Sequence, residues 1–191
     1  MISRLVVASK NPDKVVEIES ILLEAGVVGE VMRGLDWADV VEDGETLEAN
    51  ALLKARAVHA ATGVACVADD TGLEVDALGG APGVHTARFA GPQATYAENV
   101  EALLSALSGV TDRAARFRTV VAFVDGTTAI TAEGVLEGSI GHERRGEGGF
   151  GYDPVFVVGT STLAEMPAEA KNRMSHRARA ILALADHLEG V

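Results

Sequence analysis

The chain carries one cysteine in 191 residues. A single thiol cannot close an internal disulfide. Cys66 lies in the apolar run Val64-Ala65-Cys66-Val67-Ala68, which marks it as a small buried hydrophobe rather than a nucleophile. Long hydrophobic runs are missing as well. Nothing approaches the roughly 18 apolar residues of a membrane span, and Leu5 to Ala8 is too short for a signal-peptide core. A soluble, cytoplasmic protein is expected. Positive charge is scarce: 16 Lys and Arg stand against 28 Asp and Glu, a net charge of −12. Such a surface repels nucleic acid and anionic membranes at long range, so neither is an expected partner. Lysine is the scarcest cation, limited to Lys10, Lys14, Lys54 and Lys171. An anionic ligand needs a local cluster of positive charge or a metal here, and the four lysines show where to look.

What is present is enough for a core. Hydrophobic residues make up 48% of the chain, and the length suits a single domain over residues 1–191, built as one core or as two lobes. No repeat, low-complexity tract or long linker interrupts it. Ile2 to Ala8 reads as a buried strand. From Asp13 to Ala25, apolar residues at Val15, Ile18, Ile21, Leu22 and Ala25 follow the helical period, and Gly26 stops the helix. Val27 to Met32 is a weak strand, and residues 33–45 are acidic and loop-like. A second helix spans Thr46 to Thr62, and a strand spans Val64 to Ala68. Gly79 to Gly83 is an irregular turn. Thr95 and Glu98 form a capping box for a third helix ending near Gly109. Phe117 to Val124 and Thr128 to Leu136 flank Asp125-Gly126-Thr127 as a hairpin. Val155 to Val158 is a strand, and Ser175 caps a last helix to Leu188. Strands alternating with helices, plus one hairpin, predict an α/β fold with a mixed sheet.

Five strings carry candidate chemistry. Ser9-Lys10-Asn11-Pro12-Asp13-Lys14 joins a strand to a helix, where backbone N–H groups attract phosphate and Lys14 reaches the same anion from one turn in. It lacks the P-loop pattern, and an ordinary helix cap is the competing reading. Asp69-Asp70-Thr71-Gly72 places two adjacent carboxylates at a strand end, which is costly unless donors or a cation neutralise them. Strand alternation sends them to opposite sides, so one can be structural while the other binds metal or activates water. A solvated acidic turn is the alternative. Asn50 and Lys54 form a polar pair on the otherwise core-facing stripe of the second helix. Gly148-Gly149-Phe150-Gly151-Tyr152-Asp153-Pro154 brings backbone close to a flat ligand and offers Phe150 for stacking on a base, or it is a glycine-rich hairpin with core aromatics. In Lys171-Asn172-Arg173-Met174-Ser175-His176-Arg177, two cations follow Ser175 in the first helical turn, where they oppose the helix dipole.

Taken together and in order, these strings resemble the inosine triphosphate pyrophosphatase family. The matching segments are Ser9-x-Asn11-x-x-Lys14, Thr46 to Lys54, Ala68 to Leu73, Gly79 to Val84 with Ala87-Arg88, Gly148 to Pro154, and Ser175-His176-Arg177. Thr71 and Ser9 stand where serine and threonine are common in the family, and Ala178 where glycine is. The resemblance implies an elongated mixed central sheet flanked by helices, with two lobes and an active-site cleft between them. It implies a homodimer that uses Mg2+ to hydrolyse ITP, dITP and XTP to the monophosphate and pyrophosphate, cleansing the nucleotide pool. Ser9, Asn11 and Lys14 would hold the triphosphate, helped by Lys54; Lys10, Pro12 and Asp13 would also belong to the substrate-binding set, and Thr71 would contact substrate. Asp70 would be catalytic and would hold magnesium with Glu42, Glu45 being the alternative ligand. Phe150, Gly151, Tyr152 and Asp153, with Lys171, His176 and Arg177, would bind the base. A nucleotide-binding regulator and a pyrophosphatase for pyrimidine or modified nucleotides are the rival readings.

Overall fold

The computed structural model describes residues 2–189. Eight strands form one mixed sheet in the order β2-β1-β3-β5-β6-β7-β8, with β4 paired to β3 off this path. The strands are β1 (Ile2–Val7), β2 (Val28–Met32), β3 (Cys66–Val75), β4 (Pro82–Gly83), β5 (Ala114–Val124), β6 (Ala129–Ile140), β7 (Phe156–Val158) and β8 (Ser161–Thr162). The helices are α1 (Pro12–Glu24), α2 (Leu47–Thr62), α3 (Tyr96–Ala106), α4 (Ala168–Met174) and α5 (His176–Glu189). β1 is parallel to both β2 and β3, whereas β4, β7 and β8 pair antiparallel to their neighbours. The α/β class and the mixed sheet expected from the sequence are what the fold contains.

Local chemistry accounts for the element ends. Asn11 caps α1, its Oδ1 accepting from the N–H groups of Asp13 and Lys14, and Pro12 occupies the first turn, where a missing N–H costs nothing. Thr46 caps α2 through the N–H of Ala49, and Gly63 ends it in the left-handed region at φ 68°. The Thr95–Glu98 capping box opens α3 as expected. Two expectations need correction. β3 does not stop at Ala68: it continues through the acidic pair to Val75, because both carboxylates find partners and Leu73 and Val75 are core residues. β5 and β6 also run longer than the predicted hairpin arms.

The chain divides into two compact units. The first is Met1–Asp70, Thr119–Gly134 and His176–Val191; the second is Thr71–Arg118 and Val135–Ser175. Each has its own apolar core. Leu5, Val7, Ile18, Ile21, Leu22, Val67, Val121, Phe123, Ile181 and Leu184 centre the first. Leu73, Val75, Val100, Leu103, Phe117, Leu136, Tyr152, Val155, Phe156 and Leu163 centre the second. Among the described residues, no helix is long and apolar enough to cross a membrane.

Candidate active site

In the first unit, β3 delivers Asp69 and Asp70 to opposite sides, as alternation requires. Asp69 meets α1 and α5. Its Oδ2 accepts from Arg177 Nε at 3.1 Å and Nη2 at 3.0 Å, and its Oδ1 lies 3.3 Å from Lys14 Nζ. Burial alone would raise the Asp69 carboxyl, but Lys14, Arg177 and Lys54 together hold it well below the usual carboxylate range. Arg177 is only 2% exposed. Its Nη1 reaches Glu17 Oε1 on α1 at 3.1 Å. Burial would weaken the guanidinium's hold on its proton, and the charges of Asp69 and Glu17 reverse that.

Asp70 meets α2. Its Oδ2 accepts from Asn50 Nδ2 at 3.1 Å, and its Oδ1 lies 3.5 Å from Lys54 Nζ. Burial pushes the Asp70 carboxyl above its ordinary value, the pull of Lys54 and Lys14 notwithstanding. The two neighbours on β3 therefore shift in opposite directions. Lys54 also donates to Glu42 Oε2 at 2.8 Å. Burial would lower this ammonium, and Asp70, Asp69 and Glu42 together hold it above its usual value. Asn50 Oδ1 accepts from Gly44 N–H at 2.8 Å, tying the 42–45 loop to the same helix face. The polar pair noted on the α2 stripe is thus what joins that loop to β3. Glu42 is half-buried beside Lys54, whereas Glu45 is exposed.

The strand-to-helix turn before α1 lies in the same unit. Ser9 Oγ accepts from Asn11 N–H at 3.2 Å. The Asn11 side-chain oxygen serves the helix cap, so the plain capping role is present whatever else the turn does. Lys10 pairs with the exposed Asp39. His176 opens α5 and is buried. A Cβ on Gly134 would stand 2.1 Å from the His176 carbonyl oxygen, so only glycine there lets the first turn of α5 lie against β6.

The second unit holds a different cluster. Lys171, on α4, donates to Asp153 Oδ2 at 2.7 Å, and both are buried. The same oxygen accepts from Phe150 N–H at 2.9 Å. Lys171 Nζ stands 4.9 Å from the centre of the half-buried Phe150 ring. Gly149 is at φ 67°, and a Cβ there would fall 2.0 Å from Asp153 Oδ2, so the tight loop around that carboxylate needs glycine. Tyr152 stands apart from the expected binding set. Its ring belongs to the second core, and its hydroxyl donates to the Thr86 carbonyl at 2.9 Å. Burial pushes that phenol up. Thr71 is half-buried on β3.

The structure therefore gathers Lys14, Glu42, Lys54, Asp69, Asp70 and Arg177 in one unit and Phe150, Asp153 and Lys171 in the other. Arg177, expected on a base edge, has its guanidinium on two buried carboxylates. Glu17 was missed by the sequence reading, although its place among Lys14, Ile18 and Ile21 on the buried face of α1 calls for a cation.

A mixed-sheet α/β protein with a buried cluster of carboxylates and cations on one central strand is the class this fold and site define. The Ham1 family model matches residues 5–187, and the chain belongs to the Ham1 family. It is 47% identical to the dITP/XTP pyrophosphatase of Methylococcus capsulatus, with 98% of this chain and 97% of that protein aligned. It is 43% identical to the dITP/XTP pyrophosphatase of Bacillus subtilis, with 96% of each aligned. Among solved structures it resembles the Ham1 protein of Staphylococcus aureus, at a TM-score of 0.85 and 37% identity over 98% of this chain and 99% of that one. It also resembles the nucleoside-triphosphatase, dITP/XTP pyrophosphatase, of Mycobacterium abscessus, at a TM-score of 0.74 and 42% identity over 97% of this chain and 99% of that one.

Proposed function

We propose that this chain hydrolyses non-canonical purine nucleoside triphosphates (ITP, dITP and XTP) to the monophosphate and pyrophosphate, removing them before they enter DNA and RNA. Membership of the Ham1 family and relatives that are dITP/XTP pyrophosphatases support the reaction. The observation that carries its local chemistry is the charge balance of the first cluster. Lys14, Lys54 and Arg177 are ion-paired there with Glu17, Glu42, Asp69 and Asp70. Three cations against four carboxylates do not attract a triphosphate by themselves. A divalent cation supplies the missing charge.

Magnesium fits the donor set. Glu42 and Asp70 share one ammonium, that of Lys54, so the two carboxylates already converge on one point. Among the described residues, no group of three or more metal-ligating side chains occurs. Magnesium suits such a site, because it is commonly held by one or two carboxylates with substrate phosphates and water. When bound, it would neutralise phosphate charge and polarise the phosphoryl oxygens. Lys14 and Lys54 hold the phosphates, assisted by the turn from Ser9 to Lys14, and Thr71 contacts substrate. Asp70 accepts a proton from the attacking water at a carboxylate oxygen. Its raised basicity is what a general base needs. The water oxygen bonds to the α-phosphorus, the α–β bridging bond breaks, and pyrophosphate leaves with the electron pair. Asp69 keeps Lys14 and Arg177 in place.

The second cluster receives the base. Phe150 stacks on it, and Lys171 presents donors only, with Asp153 holding it; Arg177, a member of the first cluster, also carries donors only. Hypoxanthine and xanthine offer an acceptor at position 6, where adenine has a donor. ATP would leave buried donors unpaired, a mismatch that reaches about 10⁴-fold discrimination in favourable cases. Guanine shares the 6-carbonyl, so rejection of GTP is weaker. We further propose a cytoplasmic homodimer. A sedimentation mass near that of one chain at micromolar concentration would refute the dimer. The activity test is incubation with each triphosphate and magnesium, measuring pyrophosphate against orthophosphate. Pyrophosphate from ITP, dITP and XTP is expected; orthophosphate as the primary product would overturn the reading. A regulator that binds without chemistry would release neither, and a pyrimidine-directed enzyme would prefer pyrimidine substrates.

A further inference from the structure

Among the described residues, Tyr96 is the one large aromatic in the exposed set, with 43% of its surface open to water. It is the first residue of α3, directly after the Thr95 cap. Its backbone is tied down on both sides. Thr95 and Glu98 close a reciprocal capping box around it. One turn on, the buried Asn99 accepts from Ala90 N–H at 2.9 Å and donates to the Ala87 carbonyl at 3.0 Å, fastening the helix to the preceding loop. The Tyr96 ring meets Phe150, with centroids 5.9 Å apart and planes inclined by 37°. That spacing is a direct ring contact, too close for a base to enter between the two rings.

Phe150 itself has a weaker mounting. It sits between Gly149 at φ 67° and Gly151 at φ 63°. Its N–H is fixed by Asp153, but its ring is half-exposed. A ring that must present one face to a flat ligand needs a support that does not move with its own loop. We propose that Tyr96 is a positioning residue for base recognition: anchored on α3, its ring holds Phe150 in the orientation that receives the purine. The inference rests on the reading of Phe150 as the base-stacking residue. It explains why an aromatic is placed at a solvent-exposed helix start, where burial of apolar surface gives little stability.

The test compares binding of inosine monophosphate with that of ribose 5-phosphate, which lacks the base, in wild type, Tyr96→Ala, Tyr96→Phe and Phe150→Ala. Tyr96→Ala is expected to weaken inosine monophosphate binding by roughly three- to tenfold, the range of one aromatic pair. Ribose 5-phosphate affinity stays unchanged, and KM for ITP rises with kcat unchanged. Tyr96→Phe keeps the ring and restores wild-type values. If wild type binds both ligands equally, the stacking role of Phe150 fails, and with it the basis of the inference. If wild type and Phe150→Ala differ as expected but Tyr96→Ala matches wild type, stacking stands and the role of Tyr96 is overturned. Equal weakening of both ligands by Tyr96→Ala, or failure of Tyr96→Phe to rescue, overturns it as well.

Discussion

Each unit contains a buried lysine–aspartate pair, and the two pairs differ in every neighbour. Lys54 stands 3.5 Å from Asp70 in the first unit and shares itself with Glu42. Lys171 stands 2.7 Å from Asp153 in the second and lies against an aromatic ring. The first pair belongs to a network that is short of positive charge and contains a carboxylate with raised proton affinity. The second is a closed pair with its oxygen also tied to Phe150 N–H. In the proposed function the same two residue types serve a metal and phosphates in one place and a flat, neutral base in the other. The distinction comes from the neighbours, since a lone Lys–Asp pair carries neither meaning.

The sharpest break of that comparison is Asp70→Asn. It keeps the size and removes the basicity, so ITP turnover should fall by about 10²- to 10⁴-fold. Stability should not fall. Because the Asp70 carboxyl is raised in the folded protein, the native state binds that proton more tightly than the unfolded chain does. The ionised group then costs stability increasingly as pH rises from its unfolded value of about 3.9 through the folded one. A melting temperature at or above wild type at pH 7 is the expected result. Asp69→Asn should do the reverse. Its carboxyl is lowered, so its stabilisation is fully present above about pH 4 and is lost only as pH falls through the depressed folded value. Removing that charge at pH 7 takes from buried Arg177 one of its two carboxylate ion pairs and should cost about 3–5 kcal/mol in urea unfolding.

Much of this contrast was legible beforehand. The helical period, the Thr95–Glu98 capping box and the Ser175 cap gave α1, α2, α3 and α5. Strand alternation alone sent the side chains of Asp69 and Asp70 to opposite sides. The polar pair Asn50 and Lys54 announced itself by breaking an apolar stripe. The rest was hidden for physical reasons. α4 is seven residues long and rich in charge, so it carries no apolar stripe and was not recognised as a helix. β3 runs on past Ala68 because partners from distant segments neutralise its carboxylates. Tyr152 sits among glycines and so resembles a ligand contact, yet its hydroxyl finds a carbonyl 66 positions back in the chain. The Tyr96–Phe150 contact joins segments whose sequences do not refer to each other.

A smaller effect is expected in the second unit. Lys171→Ala removes a charged donor and should raise KM for ITP by roughly 10- to 100-fold, with kcat changed much less. The mildest probe uses the single cysteine. Cys66 lies in the first unit, and burial pushes its thiol up to about 12. A neutral, buried thiol should not react with a disulfide reagent at pH 8 until that unit opens. Asp69→Asn should speed labelling, and Lys171→Ala should leave it at the wild-type rate.

The division of labour between the two clusters is tested most directly by one ratio: kcat/KM for ITP over kcat/KM for ATP, measured in wild type, Asp70→Asn and Lys171→Ala. Asp70→Asn should lower both values together and leave the ratio unchanged, while Lys171→Ala should collapse the ratio toward one. A changed ratio in Asp70→Asn together with an unchanged ratio in Lys171→Ala would contradict that division.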